Sequence, residues 1–280
     1  MENILIPTDF SGCAINALDY AVYLASLTKA KIYVHHSISS QKSYGNEEFA
    51  LYSELLLEKD ADVRKKVETF IEPHQNALYV GSQEPVQWQS AIGYSSLVED
   101  IKKTVEQELI SLIVMGTNGA DGLKEVFIGS ATADVAERMN CPLLAIPESA
   151  KFNGLKKIVY ATDFHRYDPK VLQTLKRWAL VLDANINCLH VSTDVDRYMD
   201  DLKKMHELEQ IAGSSIKFHI VQAESLKDGI EKYNRKNPSD LLVMLNYHRS
   251  IVERLLHRSN SKKMVYSTKI PLLILKAKRV

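Results

Sequence analysis

One stretch of this chain occurs twice, and that constrains the fold more than any local pattern does. Ile4-Leu5-Ile6-Pro7-Thr8-Asp9-Phe10 returns as Ile158-Val159-Tyr160-Ala161-Thr162-Asp163-Phe164, and Ala30–His36 returns as Ala184–His190, both at a shift of 154 residues. A shift of 129 then lays Ser111–Met115 on Asp240–Met244 and Pro142-Leu143-Leu144 on Pro271-Leu272-Leu273. The two shifts differ by 25, so the first copy carries about 25 extra residues between His36 and Val86. One register kept through several separate segments marks a duplication, and a duplication implies two copies of one supersecondary plan. The expected domains are residues 1–150 and 151–280, joined by a short linker around Glu148–Lys156.

Each copy alternates apolar runs with helical periodicity. Asn3–Pro7 is too short for a helix and ends in turn chemistry at Thr8-Asp9, which predicts a strand. Ala14, Leu18, Ala21, Val22 and Ala25 recur at helical spacing, with Ser11 as the expected N-cap. Strands are expected at Ile32–His36, Val86–Ile92, Ile110–Met115 and Leu143–Ile146, with helices at Glu47–Phe70, Ser96–Glu108 and Ser130–Met139 between them. The second copy repeats the strands at Lys157–Ala161, Ile186–Val191, Ile216–Val221, Asp240–Leu245 and Leu272–Leu275. Strands apolar on both faces and separated by helices predict an α/β fold of two tandem doubly wound parallel sheets, five strands each. Such sheets bind ligands beyond the carboxyl ends of their strands, where the strand order reverses.

Composition removes several alternatives. The 35 Lys+Arg residues match the 35 Asp+Glu, so no net field favours a nucleic acid or an anionic membrane as main partner. Cys13, Cys141 and Cys188 are odd in number and widely spaced, which argues against a disulfide framework or a cysteine-rich zinc site. The opening MENILIPTDF does not read as a signal peptide, and no apolar run approaches the roughly 20 residues that span a bilayer. A cytoplasmic protein is the expectation.

The sharpest chemical feature is Met115-Gly116-Thr117-Asn118-Gly119, then nine residues, then Gly129-Ser130-Ala131-Thr132. Glycines where the chain leaves a buried strand let backbone N–H groups approach a ligand. Gly129-Ser130 opens a helix, whose first N–H groups lack partners and whose dipole favours an anion. Ser130 and Thr132 add hydroxyls. The combination suits a phosphate chain, although glycines that merely end a strand and cap a helix have the same spacing. The P-loop and the dinucleotide fingerprint are both absent.

Here the chain resembles the universal stress protein family. G-x₂-G-x₉-G-[ST] is that family's ATP-binding pattern, and Gly116, Gly119, Gly129 and Ser130 fit it. Pro7-Thr8-Asp9-Phe10-Ser11 after the first strand and Cys141-Pro142 before the last look like the family's landmarks, and the resemblance covers the whole chain as a tandem pair. It implies Rossmann-like sheets in the order 3-2-1-4-5 and an adenine nucleotide, ATP first, with any Mg2+ carried by the phosphates. By the same implication Pro7, Thr8 and Asp9 meet the adenine, with Ser37 and Met115 in the same set. Gly116 and Gly119 then line the ribose and phosphate path, and Gly129, Ser130, Ala131 and Thr132 hold the phosphates. Ser37 stands where the family usually has an aliphatic residue, and Asn118 where Arg or His is common. The family's exposed edge strands imply that Leu143–Ile146 and Leu272–Leu275 pair within the chain as a pseudo-dimer, a homodimer being the further option.

In the second copy Leu245, His248 and Arg258 replace the three glycines, so side chains stand where phosphates would sit. That stretch is basic through Arg249, Arg254, Arg258, Lys262 and Lys263, which fits either an acidic protein or anionic ligand docking there, or a solvated helix face. His36 and His190 recur at one strand position and read as structural histidines. Three functions remain open: a nucleotide-binding sensing module of the stress response, an interaction protein with a relic loop, and a slow ATPase. No catalytic constellation accompanies the loop, so binding is favoured over catalysis.

Overall fold

The computed structural model describes residues 2–38, 48–117, 129–246 and 270–277, with side chains from residue 58 onward in the second of these segments. Along the chain run β1 (Asn3–Pro7), α1 (Gly12–Thr28), β2 (Lys31–Ser37), α2 (Glu48–Ile71), a 3-10 turn at Glu72–His74, β3 (Trp88–Gly93), α3 (Leu97–Gln107), β4 (Leu112–Gly116), α4 (Ser130–Arg138) and β5 (Leu143–Ile146). They continue as β6 (Lys157–Thr162), α5 (Asp168–Leu182), β7 (Asn185–Ser192), α6 (Tyr198–Ala212), β8 (Ile216–Gln222), α7 (Leu226–Lys236), β9 (Leu241–Asn246) and β10 (Leu272–Lys276). The alternation is that of an α/β fold with a mostly parallel sheet.

Local chemistry explains the boundaries. Ser11 has an extended backbone and its hydroxyl accepts the Ala14 N–H, so α1 starts where a serine cap was expected. At α3, Ser96 accepts from the Glu99 backbone while the Glu99 carboxylate receives the Ser96 N–H, a reciprocal capping box. The third strand begins at Trp88, two residues later than the apolar pattern suggests. Val86 is buried, but its N–H reaches back to the Ala77 carbonyl, and Leu78 bridges Pro85. Those two residues close a turn before the strand proper begins.

Backbone contacts divide the described residues into two units, the first ending at Cys141 and the second starting at Pro142. In the first, the strand order is β3-β2-β1-β4, all parallel, with Ile4 facing Ile32 on one side and Leu112 on the other. Its floor is Ile4, Leu5, Ile6, Ile32, Leu112 and Ile113, all without solvent contact. In the second, β8-β7-β6-β9-β10 repeats the parallel plan and β5 closes the far side, antiparallel to β10 through Leu273↔Leu144. By sequence β5 belongs to the first copy, yet by contact it groups with the second, because its pairing partner is the fifth strand of the other copy. Both strands are fully buried, so two apolar edges cover each other.

Candidate functional site

In the first unit β1 lies between β2 and β4, so the turn after Pro7, the end of β2 at Ser37 and the end of β4 at Gly116 all come to one end of the sheet. This is the carboxyl end and the position of the strand-order reversal. Pro7, Thr8 and Met115 are buried there, Asp9 is exposed and Ser37 is half-buried. Gly129, Ser130 and Ala131 begin α4, the last two exposed, and Thr132 is buried one residue further. Gly119 lies outside the described residues, as do Asn118 and the second copy's His248, Arg249, Arg254, Arg258, Lys262 and Lys263.

The turn after β1 is held by its own side chains. Thr8 donates its backbone N–H to the His35 carbonyl at 2.8 Å, and its hydroxyl accepts the Phe10 N–H at 2.9 Å. Asp9 accepts the Ser11 N–H at 3.0 Å, an Asx turn leading into α1. Phe10 has φ +63°, the left-handed region, in which a bulky side chain is seldom found. What holds it there is packing: its ring lies 4.9 Å from His36 and 5.8 Å, edge-on, from Phe70 of α2. His36 in turn directs Nδ1 at the Thr8 carbonyl, 2.8 Å away. A carbonyl can only accept, so this nitrogen carries the proton. The expected structural histidine is therefore satisfied.

The second copy reproduces the Thr-Asp-Phe core of the turn. Phe164 has φ +62° and its ring lies 4.2 Å from His190, whose Nδ1 meets the Thr162 carbonyl at 2.9 Å. Its surroundings differ. Tyr160 replaces Ile6 and Asp168 replaces Ala14, and the buried Asp168 carboxylate accepts hydroxyls from Tyr160 at 2.6 Å and from Thr162. Burial pushes the Asp168 carboxyl above its usual range against the pull of those two hydroxyls, and burial together with the Asp168 charge raises Tyr160 well above its ordinary value. His190 also turns Nε2 toward Asp201 at 3.2 Å, and that carboxylate accepts the Ser192 hydroxyl at 2.7 Å. Comparing the two copies along the 154 shift exposes Tyr160 and Asp168 in the sequence, but not that they bond to each other.

Contacts within the protein shape both ends of the glycine loop. A Cβ built on Gly116 would stand 2.8 Å from Cys13 Sγ and 3.0 Å from the Cys13 backbone, so it is the first turn of α1 that excludes a side chain here. Thr132 donates its hydroxyl to the Gly116 carbonyl at 2.8 Å, and Gly129 donates its N–H to the Thr117 carbonyl at 2.5 Å. Both bonds fasten α4 to the end of β4. The Thr132 hydroxyl could donate to a phosphate only by giving up that bond, but it can still accept. Gly129 supplies no side-chain cap, so the first N–H groups of α4, at the exposed Ser130 and Ala131, have no capping side chain among the described residues.

The universal stress protein family model matches this chain twice, at residues 1–147 and 154–276. This chain belongs to the universal stress protein family. Universal stress protein Slr1230 of Synechocystis is 24% identical over 292 residues, covering 98% of this chain and 99% of its own length. Universal stress protein MJ0531 of Methanocaldococcus jannaschii is 28% identical over 153 residues, covering 54% of this chain and 84% of its own. Among solved structures, a universal stress protein from Archaeoglobus fulgidus superposes with a TM-score of 0.71 at 20% identity, covering 98% of both chains. That likeness extends the tandem Rossmann-like plan of the family to this chain. Among the described residues no helix is long and apolar enough to cross a membrane, and no group of three or more His, Cys, Asp or Glu could hold a metal ion.

Proposed function

We propose that this universal stress protein binds ATP, or another adenine nucleotide, in its first copy alone and acts as a regulatory module rather than as an enzyme. The observation that carries the reading is the convergence at one sheet end of the Thr8-Asp9 turn, Ser37, the Gly116 end of β4 and the uncapped start of α4. An uncapped helix start is favourable to an anion through its N–H groups and its dipole. Adenine lies over the Pro7-Thr8-Asp9 turn beside Ser37 and Met115, and the phosphates reach Ser130 and Ala131. The second copy keeps the turn but has Leu245, His248 and Arg258 in place of glycines, and its turn leans on an internal carboxylate, Asp168.

Calorimetry with ATP on the whole chain tests this directly. The expected stoichiometry is about one per chain, with binding abolished by Gly129→Trp and retained in Arg258→Ala; two sites, or none up to about 1 mM, would overturn it. Mass measurement of nucleotide carried through purification identifies the base. The basic residues of the second copy are proposed to dock an acidic partner. That interaction is expected to weaken as salt rises and to be lost when Arg254 and Arg258 become Glu. A pull-down unchanged by that double reversal removes it.

A further inference from the structure

The outer side of α6 carries side chains that neither the fold nor the nucleotide reading uses. Met205, Leu208 and Ala212 turn inward and are buried. On the opposite side Met199, Lys203, Glu207 and Ile211 recur every four residues, all exposed, with Met199 at 73% and Ile211 at 65%. The corresponding helix of the first copy, α2, has no such apolar ends over residues 58–71. Every exposed position there is charged or is Ala61 or Thr69.

Single exposed apolar residues are ordinary on a protein surface, but the order of these four is not. Their midpoint is Met205, with Lys203 and Glu207 two residues to either side and Met199 and Ile211 six. A second α6 laid antiparallel about that midpoint sets Met199 against Ile211 and Lys203 against Glu207. Each contact then occurs twice, as a two-fold interface requires. A spacing of four also makes the row one of the ridges by which helices interlock, crossing at about 50°.

The charges obey the same symmetry. Among the described residues neither the Lys203 ammonium nor the Glu207 carboxylate has a hydrogen bond or ion pair. Asp200 falls opposite Gln210 and Lys204 opposite His206, so no two exposed carboxylates and no two lysines face each other. Glu209, beside His206 at 3.8 Å, falls opposite Asp201, which is buried on the inner side.

We propose that α6 is a self-association surface, and that its partner is the α6 of a second copy of this chain, antiparallel across a two-fold axis. The β5 and β10 edges already cover each other within the chain, and the nucleotide reading concerns the first copy, so this surface depends on neither. Two helices meeting over about three turns bury less than the roughly 1,600 Å² of a standard interface, so the dimer forms and dissociates with concentration.

Sedimentation velocity of the full chain, from about 1 to about 200 μM, tests this. A monomer–dimer equilibrium should appear and should weaken as salt rises. Lys203→Glu and Glu207→Lys, each alone, should weaken it about tenfold or more, because like charges then meet twice. Mixing the two variants in equal amounts should restore the dimer, since each contact between positions 203 and 207 again joins opposite charges. A folding defect in either variant would not be cured by mixing. Ile211→Asp should abolish association with an unchanged circular dichroism spectrum. A full chain that stays monomeric to about 200 μM, or a dimer indifferent to both reversals, would overturn the proposal. So would a mixture of the two variants that remains as monomeric as its components.

Discussion

At the scale of single residues, contacts inside the protein constrain several side chains. Gly116 is the clearest. A methyl group there meets the Sγ and backbone of Cys13, and backbone yields less readily than a side chain. Gly116→Val should destabilise the fold by about 2 kcal/mol or more through overpacking, visible as a lower denaturant midpoint with an unchanged slope. His35 supplies a pH signature. Burial in β2 pushes its pKa down to about 4 against the favourable field of Asp100, with His36 adding to the depression, and its Nδ1 has no hydrogen-bond partner among the described residues. The unfolded chain takes up a proton near pH 6.5, while the folded chain refuses it until about pH 4. Stability from this residue is thus complete above pH 6.5 and falls as pH drops toward 4, by at most about 3 kcal/mol. Chemical denaturation across that window should be steeper in pH for the natural chain than for His35→Leu. Asp168 belongs here as well. Replacing it with Ala leaves the buried Tyr160 and Thr162 hydroxyls without their acceptor and should cost about 3 kcal/mol.

At the scale of elements, strands and helices followed from period and punctuation. Ser11 was legible as a cap, and Ser96 as the start of its helix, because capping is a local property, one serine and the three residues after it. The start of α4 was legible as a helix beginning, but not the use of its residues. Thr132 points its hydroxyl at a carbonyl sixteen residues back, so it acts as a clasp between α4 and β4. Thr132→Val should therefore cost about 1–2 kcal/mol, because the Gly116 carbonyl is left unpaired, and hydrogen exchange should rise first in α4. The N–H groups of Ser130 and Ala131 survive that change, so nucleotide affinity should fall far less than in Gly129→Trp. Equal losses in the two variants would mean that the Thr132 hydroxyl itself meets the ligand.

At the scale of the whole molecule, the consequential contact is the antiparallel pairing of β5 with β10. A fragment that begins after β5, residues 148–280, would keep the β8-β7-β6-β9-β10 order and leave β10 with one side unpaired. Leu272, Leu273 and Ile274 on that edge are fully buried in the whole chain. An apolar edge of this kind is a template for a second copy. Light scattering should find the fragment dimeric or larger at concentrations where the full chain shows no association through β10; a monomeric fragment would mean that this edge is covered some other way.

The duplication, the alternation of strand and helix, the turn after each opening strand and the loss of glycines in the second copy were all readable from the sequence. Each of these is a pattern of residue type at short range, or a comparison of one stretch with another. Tertiary structure alone decided that Gly116 is shaped by Cys13, that Thr132 binds backbone, and that Tyr160 and Thr162 converge on Asp168. These are meetings of side chains whose partners are chosen by how helices settle on the sheet. Hydrophobic periodicity records which face of an element is buried, but not which atom of a neighbour it meets. The pairing of β5 with β10 shows both halves: the apolar edges were visible in the two sequences, while the antiparallel register of Leu273 with Leu144 required the folded sheet.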